Sequence, residues 1–222
     1  MQPLKGLLTK IVSTPLTLTL AVENPRIKPA LVKKIVEGLV SLGEITYFDY
    51  DLQFSSSLQN VSEEMFSDWV SRGLTVLQPG DDPFDLVAAS TYLSKMKRQG
   101  VFILDSINTL QVLLSENNLT QAAKEANYKS SILLSVLQLT ARSFSKSFIV
   151  FDLTKLRPRV QIDRSISWEK ELVGGRMIRY KSDMILFASE AKDSAMDKSG
   201  WTSKRIQLLP MDENAEGYSV DL

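Results

Sequence analysis

Histidine and cysteine are both absent from this 222-residue chain. Without cysteine there are no disulfides and no thiolate metal sites. Without histidine the usual general base near neutral pH and the commonest metal ligand are gone. A serine–histidine–aspartate triad is impossible. Zinc would have to be held by carboxylates alone, against its preference for nitrogen and sulfur. Long apolar runs are also missing. Nothing approaches the roughly 20 residues that cross a bilayer as a helix, and Met1–Lys10 has no apolar core before a small-residue cleavage site. The expectation is a cytoplasmic protein with no signal peptide and no membrane partner. Net charge is missing too, because 26 Lys+Arg face 26 Asp+Glu.

The apolar content, 44%, is enough for one buried core, so residues 1–222 are expected to form a single domain. Strand and helix patterns alternate along it. Leu16–Val22 alternates with period two and reads as a strand. Pro29 then opens a helix whose apolar stripe is Leu31, Val32, Ile35, Val36, Leu39 and Val40. Strands are expected at Glu44–Asp49, Leu74–Leu77, Val101–Leu104 and Lys146–Asp152. Helices are expected at Ser62–Arg72 with Ser62 as cap, from Asp82-Pro83 to about Gln99, and at Leu119–Phe144. Asp183–Ser189, Arg205–Leu209 and Tyr218–Val220 read as closely spaced strands. The pattern predicts an α/β fold: a mostly parallel sheet flanked by helices, with antiparallel strands at the C-terminal edge. Ligands of such sheets sit at the carboxyl ends of the strands, here after Val22, Asp49, Leu77, Leu104 and Phe151.

Charge is uneven although it sums to zero. Residues 154–181 hold eight basic and three acidic side chains, an excess of five positive charges that the rest of the chain balances. A basic segment on an acidic body points to a local polyanion contact.

The order of these segments resembles the RecA/RadA recombinase core and the related KaiC-like proteins, from about Leu4 to Leu222. Tyr47-Phe-Asp-Tyr-Asp-Leu-Gln-Phe54 resembles the family's second strand, which ends in a catalytic carboxylate. Leu74-Thr-Val-Leu-Gln-Pro-Gly80 resembles the next strand–helix unit, and Val101-Phe-Ile-Leu-Asp-Ser-Ile-Asn108 the Walker B strand. Ser147-Phe-Ile-Val-Phe-Asp152 and Gly174-Gly175-Arg176 resemble the strand before, and the glycine pair after, the second DNA-binding loop. The accessory ring subunits of Elongator look similar, with the same core and a missing phosphate loop. What the resemblance implies is a RecA-like fold of the P-loop NTPase type.

The place of the phosphate loop reads Glu23-Asn24-Pro25-Arg26-Ile27-Lys28-Pro29. If Lys28 stands for the loop's lysine, Val22 and Ile27 replace its two glycines and Pro29 replaces the hydroxyl that holds Mg²⁺. Such a loop needs glycine backbone and free N–H donors, and proline supplies none. Glu23 adds negative charge where a triphosphate would sit. A plain strand-to-helix turn is therefore favoured over a divergent nucleotide site. Asp105 corresponds to the family's metal-site aspartate and Asp51 to its water-activating carboxylate. Each reads here as a relic, and Asp105 equally as a helix cap. No catalytic residue, metal or cofactor is expected.

The active surface is expected in the basic segment: Lys155, Arg157, Arg159, Arg164, Lys170, Arg176 and Arg179 on phosphates, with Trp168 and Tyr180 stacking on exposed bases. The alternative is a solvated loop with Trp168 buried, and Glu169 and Glu171 beside Lys170 favour it. Gly174-Gly175 reads as a tight turn into a strand. Phe66, Trp69 and Tyr92 read as core, and Trp201 as an oligomer contact. By resemblance, the function is that of a non-catalytic accessory or regulatory factor in DNA recombination and repair. It would bind DNA, single strands included, or dock on an active RecA/RadA-type recombinase, as a homo- or hetero-oligomer. A structural subunit of an Elongator-like ring that binds RNA comes second, and a divergent ATPase third.

Overall fold

The structure is a computed structural model that describes residues 2–78, 100–113, 119–160, 166–191, 205–211 and 216–221. The helix expected after Asp82, and Tyr92, Arg164 and Trp201, lie outside the described residues.

The described elements run β1 (Gln2–Pro3), α1 (Leu4–Ser13), β2 (Thr17–Val22), α2 (Lys28–Val40), β3 (Glu44–Asp49), α3 (Gln53–Ser57), α4 (Glu63–Ser71) and β4 (Leu74–Leu77). They continue with β5 (Gly100–Asp105), α5 (Ile107–Leu113), α6 (Leu119–Ser143), β6 (Ser147–Val160), β7 (Ile166–Leu172), α7 (Gly175–Lys181), β8 (Met184–Glu190), β9 (Arg205–Pro210) and β10 (Tyr218–Asp221). Ser62 caps α4 as expected, its hydroxyl accepting the Met65 N–H.

The sheet order is β1-β10-β9-β8-β2-β6-β5-β3-β4, with β7 paired to β6. The central pairs, β8–β2, β2–β6, β6–β5, β5–β3 and β3–β4, are parallel. The closely spaced C-terminal strands β8, β9 and β10 are antiparallel, because connections without a helix reverse direction. Both faces of the sheet are covered. Leu18, Leu20, Ile149 and Phe151 pack with α1, α2 and α4. Ala21, Phe102, Phe148 and Val150 pack with α5, α6 and α7. This explains why Ser147–Asp152 is a continuous run rather than an alternating one.

Two readings are corrected. The described residues of the basic segment do not form a loop that carries the charges. The sixth strand runs on past Asp152 to Val160 and pairs antiparallel with β7 as a two-stranded ribbon. Alternating charge and apolar residues favour this, since one ribbon face is then polar and charged and the other, apart from Lys170, largely apolar. Gly174-Gly175 leads into helix α7, not a strand. Gly175 has φ +62°, and a Cβ on Gly174 would stand 2.4 Å from Ile178 Cγ1 and 3.1 Å from Asp152 Oδ2. Both glycines therefore fit a corner that packs tightly against its own helix.

Candidate functional site

The turn after β2 has almost no free backbone donors. The Glu23 N–H bonds to Ala188 O at 3.1 Å, the Ile27 N–H to Asn24 O at 3.1 Å, and the Arg26 N–H to Asn24 Oδ1 at 3.0 Å. The Lys28 N–H bonds to Pro25 O. Pro25 and Pro29 have no N–H. Six of the seven positions from Glu23 to Pro29 thus offer a phosphate nothing from the backbone.

Lys28 begins α2, and its side chain turns inward beneath this turn. Only 3% exposed, its ammonium is ion-paired with both Asp51 and Asp105 and lies 5.9 Å from the centroid of the Phe151 ring. The parallel register of β3 and β5 sets Asp49 directly beside Asp105, and Asp51 comes two residues later. Carboxylate oxygens of Asp49, Asp51 and Asp105 lie within 4.8 Å of one another, a set that could hold a divalent cation. Two facts oppose that use. Asp49 already accepts the N–H groups of Phe54 at 3.3 Å and Ser55 at 2.6 Å. The Lys28 ammonium is already paired with the other two, and a second cation beside that ammonium would be repelled by it. The trio does not fit Mg²⁺. The surface depression next to it, about 570 Å³, is lined by Pro29, Asp51, Leu52, Gln53, Ser56 and Ser57. Its one charged group is an acid, which disfavours a triphosphate.

One lysine faces two carboxylates, so the cluster keeps an excess of negative charge. Burial pushes the Asp105 carboxyl up to about 7 despite Lys28. The Tyr47 hydroxyl donates to Asp105 Oδ2 at 2.5 Å, and burial with that neighbouring charge raises its own pKa. Burial likewise raises Asp49. At the end of the core part of β6, burial pushes Asp152 up to about 6, although it accepts from Asn108, Leu153 and Gly174. A raised carboxyl keeps in the fold a proton that the unfolded chain releases near pH 4. The folded state therefore binds more protons between about pH 4 and 7, and stability from these two groups falls as pH rises through that window. Thermal melts from pH 5 to 8 are expected to show this decline. Asp152→Asn is expected to flatten its lower part, and an unchanged slope would count against the assignment.

The ribbon places its charges by register. Lys155, Arg157 and Arg159 lie opposite Glu171, Glu169 and Ser167 on one face. Leu156 and Pro158 lie opposite Lys170 and Trp168 on the other. Arg157 pairs with Glu171 at 3.3 Å, Lys155 with Glu171 at 3.7 Å, and Arg159 with Glu169 at 3.0 Å. Lys170 reaches back to Glu23 at 2.6 Å. Between the ribbon and α7 is a cleft of about 230 Å³ lined by Arg157, Arg159, Glu169, Glu171, Arg176 and Arg179 among others. Among the described residues, Arg176 and Arg179 have no carboxylate within 4.0 Å.

Comparison with known proteins adds nothing to this geometry. No protein-family model matches the chain, and no curated protein matches it.

The structure thus brings together Lys28, Asp51 and Asp105, and separately Arg157, Arg159, Arg176 and Arg179. It does not place Trp168 with the arginines of the cleft. That side chain is 63% exposed with exposed Leu156 on the opposite ribbon face. Tyr180 is 83% exposed on α7, one helical turn from Arg176. Phe66 is half-buried and Trp69 buried, as expected for core. Sequence reasoning missed Tyr47, Asp49 and Asp152. The two aspartates flanking Tyr50 were the available signal for Asp49, since they place one acid on the strand and one just past it.

Proposed function

We propose that this protein is a non-catalytic, RecA-like relative of the recombinase ATPases. It binds nucleic acid and serves as an accessory or regulatory factor in recombination and repair, including by docking on an active recombinase. The observation that carries the reading is the Lys28 ammonium buried between Asp51 and Asp105. These are the residues that the resemblance assigns to phosphate binding, water activation and metal binding. Here they satisfy one another. To meet a phosphate, Lys28 would have to break two buried ion pairs, at a cost of several kcal/mol.

The spent N–H groups of the Glu23–Pro29 turn support the same conclusion. The convergence of Lys28, Asp51 and Asp105 at the carboxyl ends of β2, β3 and β5 supports descent from a nucleotide-binding sheet. No described helix is long and apolar enough to cross a membrane. Arg176 and Arg179, which have no carboxylate partner among the described residues, support a polyanion partner.

Titration with a fluorescent ATP analogue and Mg²⁺ tests the first half. No Mg²⁺-dependent saturable binding is expected up to millimolar nucleotide, and such binding would overturn the proposal. Filter binding with single-stranded DNA and RNA at two salt concentrations tests the second half. Salt-sensitive binding is expected, and none with either polymer defeats it.

A further inference from the structure

The cleft between the ribbon and α7 differs from a groove that tracks a strand. It is closed at one end by the chain itself, because Leu172 and Gly175, on either side of the corner, both line it. That corner is anchored to β6. The Val173 N–H bonds to Leu153 O at 2.9 Å, and the Gly174 N–H bonds to Asp152 Oδ2 at 3.1 Å. A nucleic-acid strand passing through would need an exit there. At about 230 Å³, the space is comparable to one small ligand group rather than several nucleotides.

The charge of the cleft points the same way. Glu171 and Glu169 already pair with Arg157 and Arg159. Lys170, which also lines the cleft, pairs with Glu23. Among the described residues, the positive charge left over is that of Arg176 and Arg179, three residues apart and so on one side of α7. Two guanidiniums without a carboxylate partner among the described residues match a phosphate monoester, which carries about −1.5 to −2 and three acceptor oxygens. An internal phosphodiester carries a single negative charge. Tyr180, exposed and one turn beyond Arg176, offers a stacking surface for a base next to that phosphate.

We infer that this cleft receives the phosphorylated end of a nucleic-acid strand, with Arg176 and Arg179 holding the terminal phosphate monoester and Tyr180 stacking on the terminal base. This rests on the proposal that the protein binds nucleic acid and specifies its substrate class.

The test compares two 20-nucleotide DNA strands of one sequence, labelled at the 3′ end, one with a 5′-phosphate and one with a 5′-hydroxyl. Affinity is read by fluorescence anisotropy. The 5′-phosphorylated strand is expected to bind about tenfold more tightly, as two charge-assisted contacts would give. A 5′-mononucleotide is expected to compete, and the matching nucleoside is not. Arg176→Ala/Arg179→Ala is expected to bring both strands to one affinity, with the fold checked by thermal melt. Arg176→Lys/Arg179→Lys is expected to keep part of the preference. Equal binding of the two strands by the unaltered protein overturns the end-recognition proposal. If R176A/R179A then weakens both strands equally, nucleic-acid binding at this cleft still stands. If neither strand binds but a phosphopeptide does, both proposals fall.

Discussion

Replacing Lys28 by methionine is expected to destabilise the fold by about 3–5 kcal/mol at pH 8, the usual cost of removing one partner from a buried ion pair. Methionine keeps most of the length and apolar volume of lysine, so the loss reports charge rather than a cavity. The substitution leaves the Asp51 and Asp105 carboxylates, 10% and 1% exposed, facing one another without a cation. Tyr47 still donates a side-chain hydrogen bond to Asp105. Losing Lys28 removes the largest influence that lowers the Asp105 pKa, so that carboxyl rises further and can escape the penalty by holding a proton. The cost is therefore expected to be smaller at pH 5 than at pH 8. Adding Asp105→Asn is expected to recover most of the loss, because asparagine still accepts from Tyr47 and carries no charge. Urea unfolding at both pH values measures all three effects. A loss under about 1 kcal/mol at pH 8 would mean that the ammonium is not what holds this site together.

Converting both ribbon glutamates to glutamine is the second large effect. Glu169→Gln/Glu171→Gln is expected to tighten binding of single-stranded nucleic acid about tenfold at low salt. The two acids are the partners of Lys155, Arg157 and Arg159, and their loss frees those cations for phosphate. The salt dependence should steepen in step. Each additional phosphate neutralised on a single strand adds about 0.7 to the slope of log affinity against log salt, so the three newly freed cations add up to about 2.1. These ion pairs are exposed, and each contributes about 0–1 kcal/mol to folding. The melting temperature should therefore change little, which separates a binding effect from a structural one. Anisotropy titrations at several salt concentrations supply both numbers. Unchanged or weaker binding would show that the ribbon face is not in contact with the polymer.

Much of the architecture was legible because it is local. Glu44–Asp49 and Leu74–Leu77 are the strands that their patterns predict. Ser62 is the cap of its helix. The long helix ends within a residue of the expected position. The segment from Lys155 onward was less readable. Pro158 and dense charge look like loop signals, but Pro158 is accommodated in a two-stranded ribbon, where a missing N–H on an unpaired edge costs little. The helix after Gly174-Gly175 was hidden for a related reason. A glycine pair signals a turn, but the same turn can lead into a strand or a helix.

The sequence by itself determined that no histidine or cysteine chemistry is open to this protein, that the turn before Lys28 lacks glycine, and that positive charge gathers in residues 154–181. These are matters of which atoms are present, and no folding can alter them. The tertiary structure alone decided what Lys28 does. Asp51 and Asp105 lie 23 and 77 residues away along the chain, and parallel pairing of β3 with β5 brings them to the same ammonium. It also decided which cations are free. An antiparallel register sets Glu169 and Glu171 among the ribbon's basic residues and, among the described residues, leaves Arg176 and Arg179 unmatched on the next helix. Net charge can be counted along a chain, but neutralisation depends on distance, and distance is fixed by strand register.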